Sequence, residues 1–204
     1  MNPLTAKTLR TALRATARRA ELEEAARGLL TRAEREGLID VAYADVDSPF
    51  GPMLVAGTDR GIVRVAFPHR DHDALLEELA AMISPRVLEA PERLDQVRRE
   101  LDAYFEGRLD RFSVSLDWRL THGFQNKALR AIARIPYGET RSYREIAAAA
   151  GNPRAFRAAG TACGANPLPP IVPCHRVILS DGEIGSYGGG PQMKESLLRL
   201  EGAL

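Results

Sequence analysis

At 204 residues, 45% hydrophobic and 27% charged, the chain can bury one good core or two small ones and has an ordinary globular composition. No apolar run approaches the roughly 20 residues of a membrane-spanning helix, and MNPLTAKTLRTALRATARRA lacks a continuous apolar core, so no secretory signal is expected there. The net charge of +1 hides an asymmetry: residues 1–118 hold 17 Lys+Arg against 21 Asp+Glu, residues 119–204 hold 11 against 6, and a basic second half hints at a polyanion partner.

Residues 1–36 are rich in Ala, Arg, Glu and Leu, with Leu9, Leu13, Leu22, Ala26, Leu29 and Ala33 at loosely helical spacing. One or two amphipathic helices ending at Gly37 are predicted. Lys7, Arg10, Arg14, Arg18 and Arg19 come before any acid, as in a phosphate-contacting arm, but packing on the body is the expectation. From Val41 the runs VAYADV, MLVAG and IVRVAF, separated by DSPFGP and TDRG, predict an antiparallel meander. DALLEELAAM and PERLDQVRRELDAYFEG follow as helices, the second with Pro91 near its start and Gly107 at its close. Strands followed by helices make a small α/β domain. His69 and His72 have no cysteine nearby and are expected at the surface.

After the linker DRFSVSLDW the pattern is mostly helical. GFQNKALRAIARI puts Phe124, Ala128, Ala131, Ile132 and Ile135 on one face and stops at Pro136. Ser142 and Glu145 have capping-box spacing, so a helix is predicted to start at Tyr143 and end near Gly151. Asn152 and Pro153 read as the N-cap and first residue of a second helix, PRAFRAAGTACGAN. Two short helices around a tight turn are a helix-turn-helix. The second is thin, with Ala159, Gly160, Ala162, Gly164 and Ala165, and carries Arg154 and Arg157. That suits insertion into a DNA groove; close helix packing would need the same small residues.

The two cysteines, Cys163 and Cys174, make no disulfide framework. Cys174 sits in IVPCHRVI, between Pro173 and His175, with Arg176 next. A zinc site needs about four ligands, and Cys163, Cys174, His122 and His175 lack paired spacing. A buried structural cysteine is the commonest role for a single thiol. A core strand, however, rarely places Cys, His and Arg in succession. A nucleophile explains the triplet better: a thiol of ordinary pKa near 8.5 is only a few per cent ionised at neutral pH and needs a base, for which His175 is nearest. Neighbours on an extended strand face opposite ways, so a bridging water or a bent backbone is required. Glu201, in KESLLRLEG, is the candidate to orient the imidazole. A nucleophilic thiol persists best in a reducing compartment, and a cytoplasmic location is expected.

IPYGET-x-SY, NP-x-A-x-RA-x-G, the asparagine of ANPLPPIVPCHRVI, and GSYGGG followed by K-x-x-LL-x-x-EG occur in fixed order. Together they resemble the O6-alkylguanine-DNA alkyltransferases, strongly over 119–204 and more weakly over 41–118, where SPFGPMLVAG and the stretch from Tyr104 to Asp117 carry the likeness. Residues 1–40, expected from their spacing to be a helical extension, lie outside the resemblance; over 41–118 it implies a ribonuclease-H-like α/β domain, with a small antiparallel sheet plus helices. It implies a mainly α, winged-helix-like domain with the helix-turn-helix over 119–204. Cys174 would accept the alkyl group, His175 would activate it through a water, Glu201 would orient the imidazole, and Asn166 would brace the turn. Tyr143 would rotate the nucleotide and protonate the departing base. Arg157 would fill the gap in the stack, with Arg154, Ala158 and Tyr143 facing DNA. Val177 and Gly188 would contact the base, with Tyr187 and Lys194 supporting the lid. The implied partner is double-stranded DNA carrying O6-alkylguanine or O4-alkylthymine, bound by a monomer that can cluster along it, with no cofactor, metal or membrane. A thioether has no easy leaving group, so each molecule would act once.

Three positions depart from the family pattern. Gly188 stands where some members have serine, Pro191 replaces an aliphatic residue in the lid, and Phe156 replaces a smaller residue on the helix expected to face DNA, where wedging between bases is one reading and packing under the helix is the expectation. The cysteines of the N-terminal zinc site of some relatives are missing. Two rival readings stay open: a thiol hydrolase, which would turn over, and a lesion-binding module without chemistry.

Overall fold

A computed structural model describes Arg18, Glu21, Glu24, Ala25, residues 28–33 and residues 35–204, which fall into two compact units, 1–39 and 40–204. In the first unit the described residues from 18 to 35 are helical. Hydrogen bonds from Glu36 N to Arg32 O and from Leu38 N to Ala33 O close the helix at Gly37, as predicted. The basic positions Lys7, Arg10, Arg14 and Arg19 lie outside the described residues, as do Leu9, Leu13, Leu22 and Ala26.

The second unit opens with the predicted meander. β1 (Val41–Val46), β2 (Met53–Thr58) and β3 (Gly61–Ala66) pair antiparallel, with Ala44 opposite Val55 and Val55 opposite Val65. The sheet is mixed rather than purely antiparallel. A three-residue strand, β4 (Val87–Glu89), joins β1 in parallel, giving the order β3-β2-β1-β4. Helix α1 (His72–Met82), capped by Asp71 on Ala74 N, packs Leu75 and Leu79 over Val41, Leu54, Ala56 and Val63. Pro91 opens a 3₁₀ turn (Pro91–Leu94), which leads into α2 (Asp95–Phe105). His69 is exposed as expected, but His72 is half-buried with Nδ1 3.1 Å from Asp45.

The remainder is α3 (Gly123–Ile132), β5 (Arg141–Ser142), α4 (Tyr143–Ala149), α5 (Phe156–Gly164), β6 (Val177–Ile178) and α6 (Pro191–Leu200). The capping box is formed: Ser142 Oγ accepts from Glu145 N, the Glu145 carboxylate accepts from Ser142 N, and α4 starts at Tyr143. The second helix of the pair begins at Phe156, three residues later than Asn152-Pro153 suggested. The Asn152 side chain accepts from Arg154 N, two residues on, and its carbonyl from Ala155 N, so Asn152 builds a turn instead of capping a helix. Arg154 therefore lies in the turn before α5.

Two connections position the loop that precedes Cys174. Val65 N on β3 donates to Pro167 O at 2.8 Å, fixing that loop against the sheet. β5 and β6 pair in parallel, Arg141 with Val177, which sets the start of α4 beside the segment after Cys174. An aromatic cluster then ties α2 to α6: Tyr104, Met193 and Leu197 are buried among Phe50, Phe67, Phe112, Tyr137 and Tyr187. Glu201, just past α6, is held by the turn at 136–139. Tyr137 Oη donates to Leu200 O at 2.9 Å, and a Cβ on Gly138 (φ +75°) would lie 3.0 Å from Glu201 O, so the close approach needs glycine.

Candidate active site

Cys174, His175 and Arg176 form a 3₁₀ turn, closed by Cys174 N on Val172 O and Arg176 N on Pro173 O. The backbone bends where an extended strand would have sent neighbouring side chains to opposite faces. All three residues are buried. Cys174 nevertheless lines a cavity of about 200 Å³, whose wall also includes Tyr143, Gly160, Cys163, Ser186, Tyr187 and Gly188.

Asn166 holds this turn from one side. Its Nδ2 donates to Val172 O at 2.7 Å and lies 3.1 Å from Cys174 Sγ, while its Oδ1 accepts from Leu168 N. Burial pushes the Cys174 thiol up to about 11, against the pull of the Asn166 hydrogen bond and the Lys194 charge, so it is protonated at rest. Burial also pushes the Cys163 thiol up, to about 12. Lys194 has no exposed surface. Its Nζ donates to Val177 O at 2.6 Å, and burial lowers its pKa.

Behind the cysteine, four hydrogen bonds converge on the Glu201 carboxylate. Oε1 receives Tyr104 Oη at 2.6 Å, His175 Nε2 at 2.8 Å and Arg176 Nη2 at 2.9 Å; Oε2 receives Arg176 Nε at 2.7 Å. The remaining Arg176 nitrogen, Nη1, donates to Ile135 O. Burial alone would raise the Glu201 carboxyl, but the bonds from His175, Arg176 and Tyr104 hold it down at about 2. An ionised carboxylate requires His175 Nε2 to carry a proton. Burial, reinforced by Arg176 and Lys194, holds the imidazole below its ordinary value. A neutral ring then leaves Nδ1 as an acceptor, and Nδ1 is buried with no hydrogen-bond partner. The ensemble is a protonated thiol beside a neutral base whose free nitrogen can take a proton.

Of the residues singled out in the sequence, Cys174, Tyr143, Tyr187 and Gly188 meet at the cavity, and His175, Glu201 and Asn166 lie behind or beside the sulfur. Val177 and Lys194 do not line the cavity but are fully buried and bonded to each other. Tyr187 packs edge-on against Phe67 and against the His175 ring. A Cβ on Gly189 would come 2.3 Å from the Met193 sulfur, so the glycine run lets this strap lie flat on α6. Pro191 is the first-turn proline of α6. Arg154, Arg157 and Ala158 are exposed at the start of the helix-turn-helix's second helix. Phe156, expected to pack under that helix, is 38% exposed; Ala159 and Ala162 fill the space beneath instead.

Sequence reasoning missed the contributions of Tyr104, Arg176 and Cys163. Arg176 stands in the triplet itself and could have been found by asking what neutralises a buried guanidinium. Tyr104 is separated from Glu201 by 97 positions and carries no local signal. Among the described residues no three His, Cys, Asp or Glu side chains gather as a metal ion would require, and no helix is long and apolar enough to cross a membrane.

Two family models match the chain: the ribonuclease-like domain of 6-O-methylguanine DNA methyltransferase over residues 41–118, and the DNA binding domain of the same family over 123–203. A methylated-DNA–protein-cysteine methyltransferase of Methanosarcina barkeri is 41% identical over 78% of this chain and 96% of its own length. One from Mycobacterium tuberculosis is 41% identical over 79% and 92%. Among solved structures, the M. tuberculosis O6-methylguanine methyltransferase superposes with a TM-score of 0.68 at 39% identity, covering 80% of this chain and 93% of the other. The M. tuberculosis OGT in complex with DNA also gives 0.68, at 38% identity over 79% and 93%.

Proposed function

The chain belongs to the 6-O-methylguanine DNA methyltransferase family, and we propose that it repairs DNA by transferring an alkyl group from O6 of a guanine to the sulfur of its own Cys174. The observation that carries this reading is a buried thiol opening on a cavity of about 200 Å³, with the unpartnered Nδ1 of a carboxylate-bound histidine in the same turn.

The resting thiol is protonated, so the first event is loss of its proton through a water molecule to His175 Nδ1. Glu201, fixed by Arg176 and Tyr104, stabilises the imidazolium through Nε2. Asn166 and the Lys194 charge stabilise the thiolate as it forms. Sγ then attacks the alkyl carbon, the carbon–O6 bond breaks, and the guanine leaves with that electron pair. Burial and the nearby thiols push Tyr143 up to about 12, so it is a protonated phenol able to donate to the departing base. The thioether cannot be hydrolysed back, so the reaction is stoichiometric.

A base inside a duplex cannot reach this cavity, so the nucleotide is rotated out of the stack, at a cost of a few kcal/mol that is least for a damaged pair. Exposed Arg157 fills the gap, and Arg154 and Ala158 lie against the backbone and groove. Gly188, on the cavity wall, offers a backbone group to the extruded base, and Val177, buried and bonded to Lys194, supports the wall from behind. We assign 1–40 as an N-terminal extension, 41–118 as the α/β domain and 119–204 as the DNA-binding and catalytic domain, acting as a monomer on duplex DNA with alkylated bases.

Intact-protein mass after mixing with excess duplex containing one O6-methylguanine, followed by peptide mapping, tests this. One added methyl group on Cys174, and none on Cys163, is the expected result. An unchanged protein with an intact lesion would leave a lesion-binding protein without chemistry. Turnover of an ester or amide would make it a thiol hydrolase.

A further inference from the structure

Phe156 is the only aromatic among the large hydrophobic side chains that the described residues leave exposed. It opens α5, one residue before Arg157, and two cations bracket its ring: the guanidinium carbons of Arg144 on α4 and of Arg157 lie 5.5 and 5.6 Å from the ring centroid. Among the described residues no carboxylate pairs with Arg144, Arg154 or Arg157: the guanidiniums of Arg144 and Arg157 face this ring, and the bonds of Arg154 N to Asn152 Oδ1 and of Thr161 Oγ1 to Arg157 O use only the arginines' backbone atoms. The patch is thus an apolar plate framed by three uncompensated positive charges. Its charge suits a polyanion, and its ring suits something with a flat apolar face.

The rest of the helix surface narrows the choice. Ala158 and Thr161 are the exposed neighbours of Phe156 and Arg157, and Thr161 spends its hydroxyl on Arg157 O in its own helix. Neither can make the bidentate hydrogen bonds by which longer side chains read a purine in the major groove. Short side chains beside an apolar wedge and arginines are the pattern of proteins that enter the minor groove and part a base step. We infer that Phe156 is a second wedge: its ring enters the duplex from the minor groove at the step next to the one that Arg157 occupies, and Arg144 and Arg154 hold the flanking phosphates. This rests on the assignment of α4 and α5 as the DNA face.

The test compares wild type, Phe156→Ala, Phe156→Leu and Arg157→Ala, each reacted with a duplex carrying O6-methylguanine beside a 2-aminopurine base and with free O6-benzylguanine. Phe156→Ala should lose about tenfold in duplex repair at limiting DNA relative to its free-base reaction, the worth of one stacked base. The 2-aminopurine fluorescence rise on binding should shrink with it. Phe156→Leu should recover most of both, because leucine also wedges. Wild-type duplex repair by Phe156→Ala would overturn the wedge, and so would an equal loss on both substrates. Arg157→Ala separates the two levels. If it lowers the duplex-to-free ratio while Phe156→Ala does not, only the wedge fails; if neither lowers it, α5 is not the DNA face.

Discussion

Replacing Glu201 with glutamine keeps the shape of the side chain and removes its charge. The carboxylate now receives four hydrogen bonds, two of them from Arg176, which is only 7% exposed. Glutamine offers one acceptor oxygen, and its NH₂ group must face a donor where Oε2 now accepts from Arg176 Nε. The guanidinium is left buried without a counter-charge, and breaking a buried pair from one side costs about 3–5 kcal/mol. For a chain of this size that lowers the melting temperature by on the order of 10 °C. His175 loses the anion that stabilises its charged form, and positioned general bases contribute about 10²–10⁴ in rate, so the reaction should slow at least about a hundredfold. Tyr104→Phe removes only one neutral donor to that carboxylate and should cost less, about 1.5–3 kcal/mol. Thermal unfolding at pH 7 and the single-turnover rate with free O6-benzylguanine measure both effects. A Glu201→Gln protein melting within about 2 °C of wild type, at an undiminished rate, would refute the account of Glu201 as the hub.

The pH dependence follows from the same groups. An unfolded chain protonates Glu201 near 4.5 and the native one only near 2, so the native state takes up its proton later and stability falls as pH drops through that window. The difference is worth about 3 kcal/mol, visible in urea unfolding between pH 5 and 2 and absent in Glu201→Gln. His175, held below its ordinary value, stays a neutral base down past about pH 6.5, and the transfer rate should fall only on further acidification. A rate that already halves between pH 8 and 7 would contradict the buried neutral imidazole. Asn166→Ala leaves Leu168 N without its partner, costing about 1–3 kcal/mol for that buried group, and takes one of the two donors from Val172 O, which keeps Cys174 N. It also frees the thiol to rise further, and a slower free-base reaction with a lower melting temperature is expected. Lys194→Met deletes a charge that lowers the Cys174 thiol, so the proton passes to His175 less readily and the single-turnover rate with free O6-benzylguanine at pH 7 should fall.

Local hydrogen bonding and side-chain periodicity span only a few residues, and what depends on them was legible in the chain. Ser142 and Glu145 announced the start of α4, Gly37 the end of the first helix, and short β-type runs between turn signals the three strands of the meander. The reactive triplet was legible for a chemical reason, since Cys, His and Arg in succession make little sense in a core strand. Where two local uses of one residue compete, sequence decides less: Asn152 can cap a helix or close a turn, and the turn won. β4 could not be read at all. Half-buried Val87 and Leu88 and exposed Glu89 gain their strand only from a parallel partner more than forty positions earlier. The exposure of Phe156 likewise depended on alanines taking the space under α5. Above all, tertiary structure decided the surroundings of Glu201. Tyr104 on α2, the turn after Pro173, and the end of α6 come together because an aromatic cluster locks α2 to α6. A buried carboxylate stays ionised only when several donors from distant parts of the chain converge on it, and no stretch of sequence holds them all.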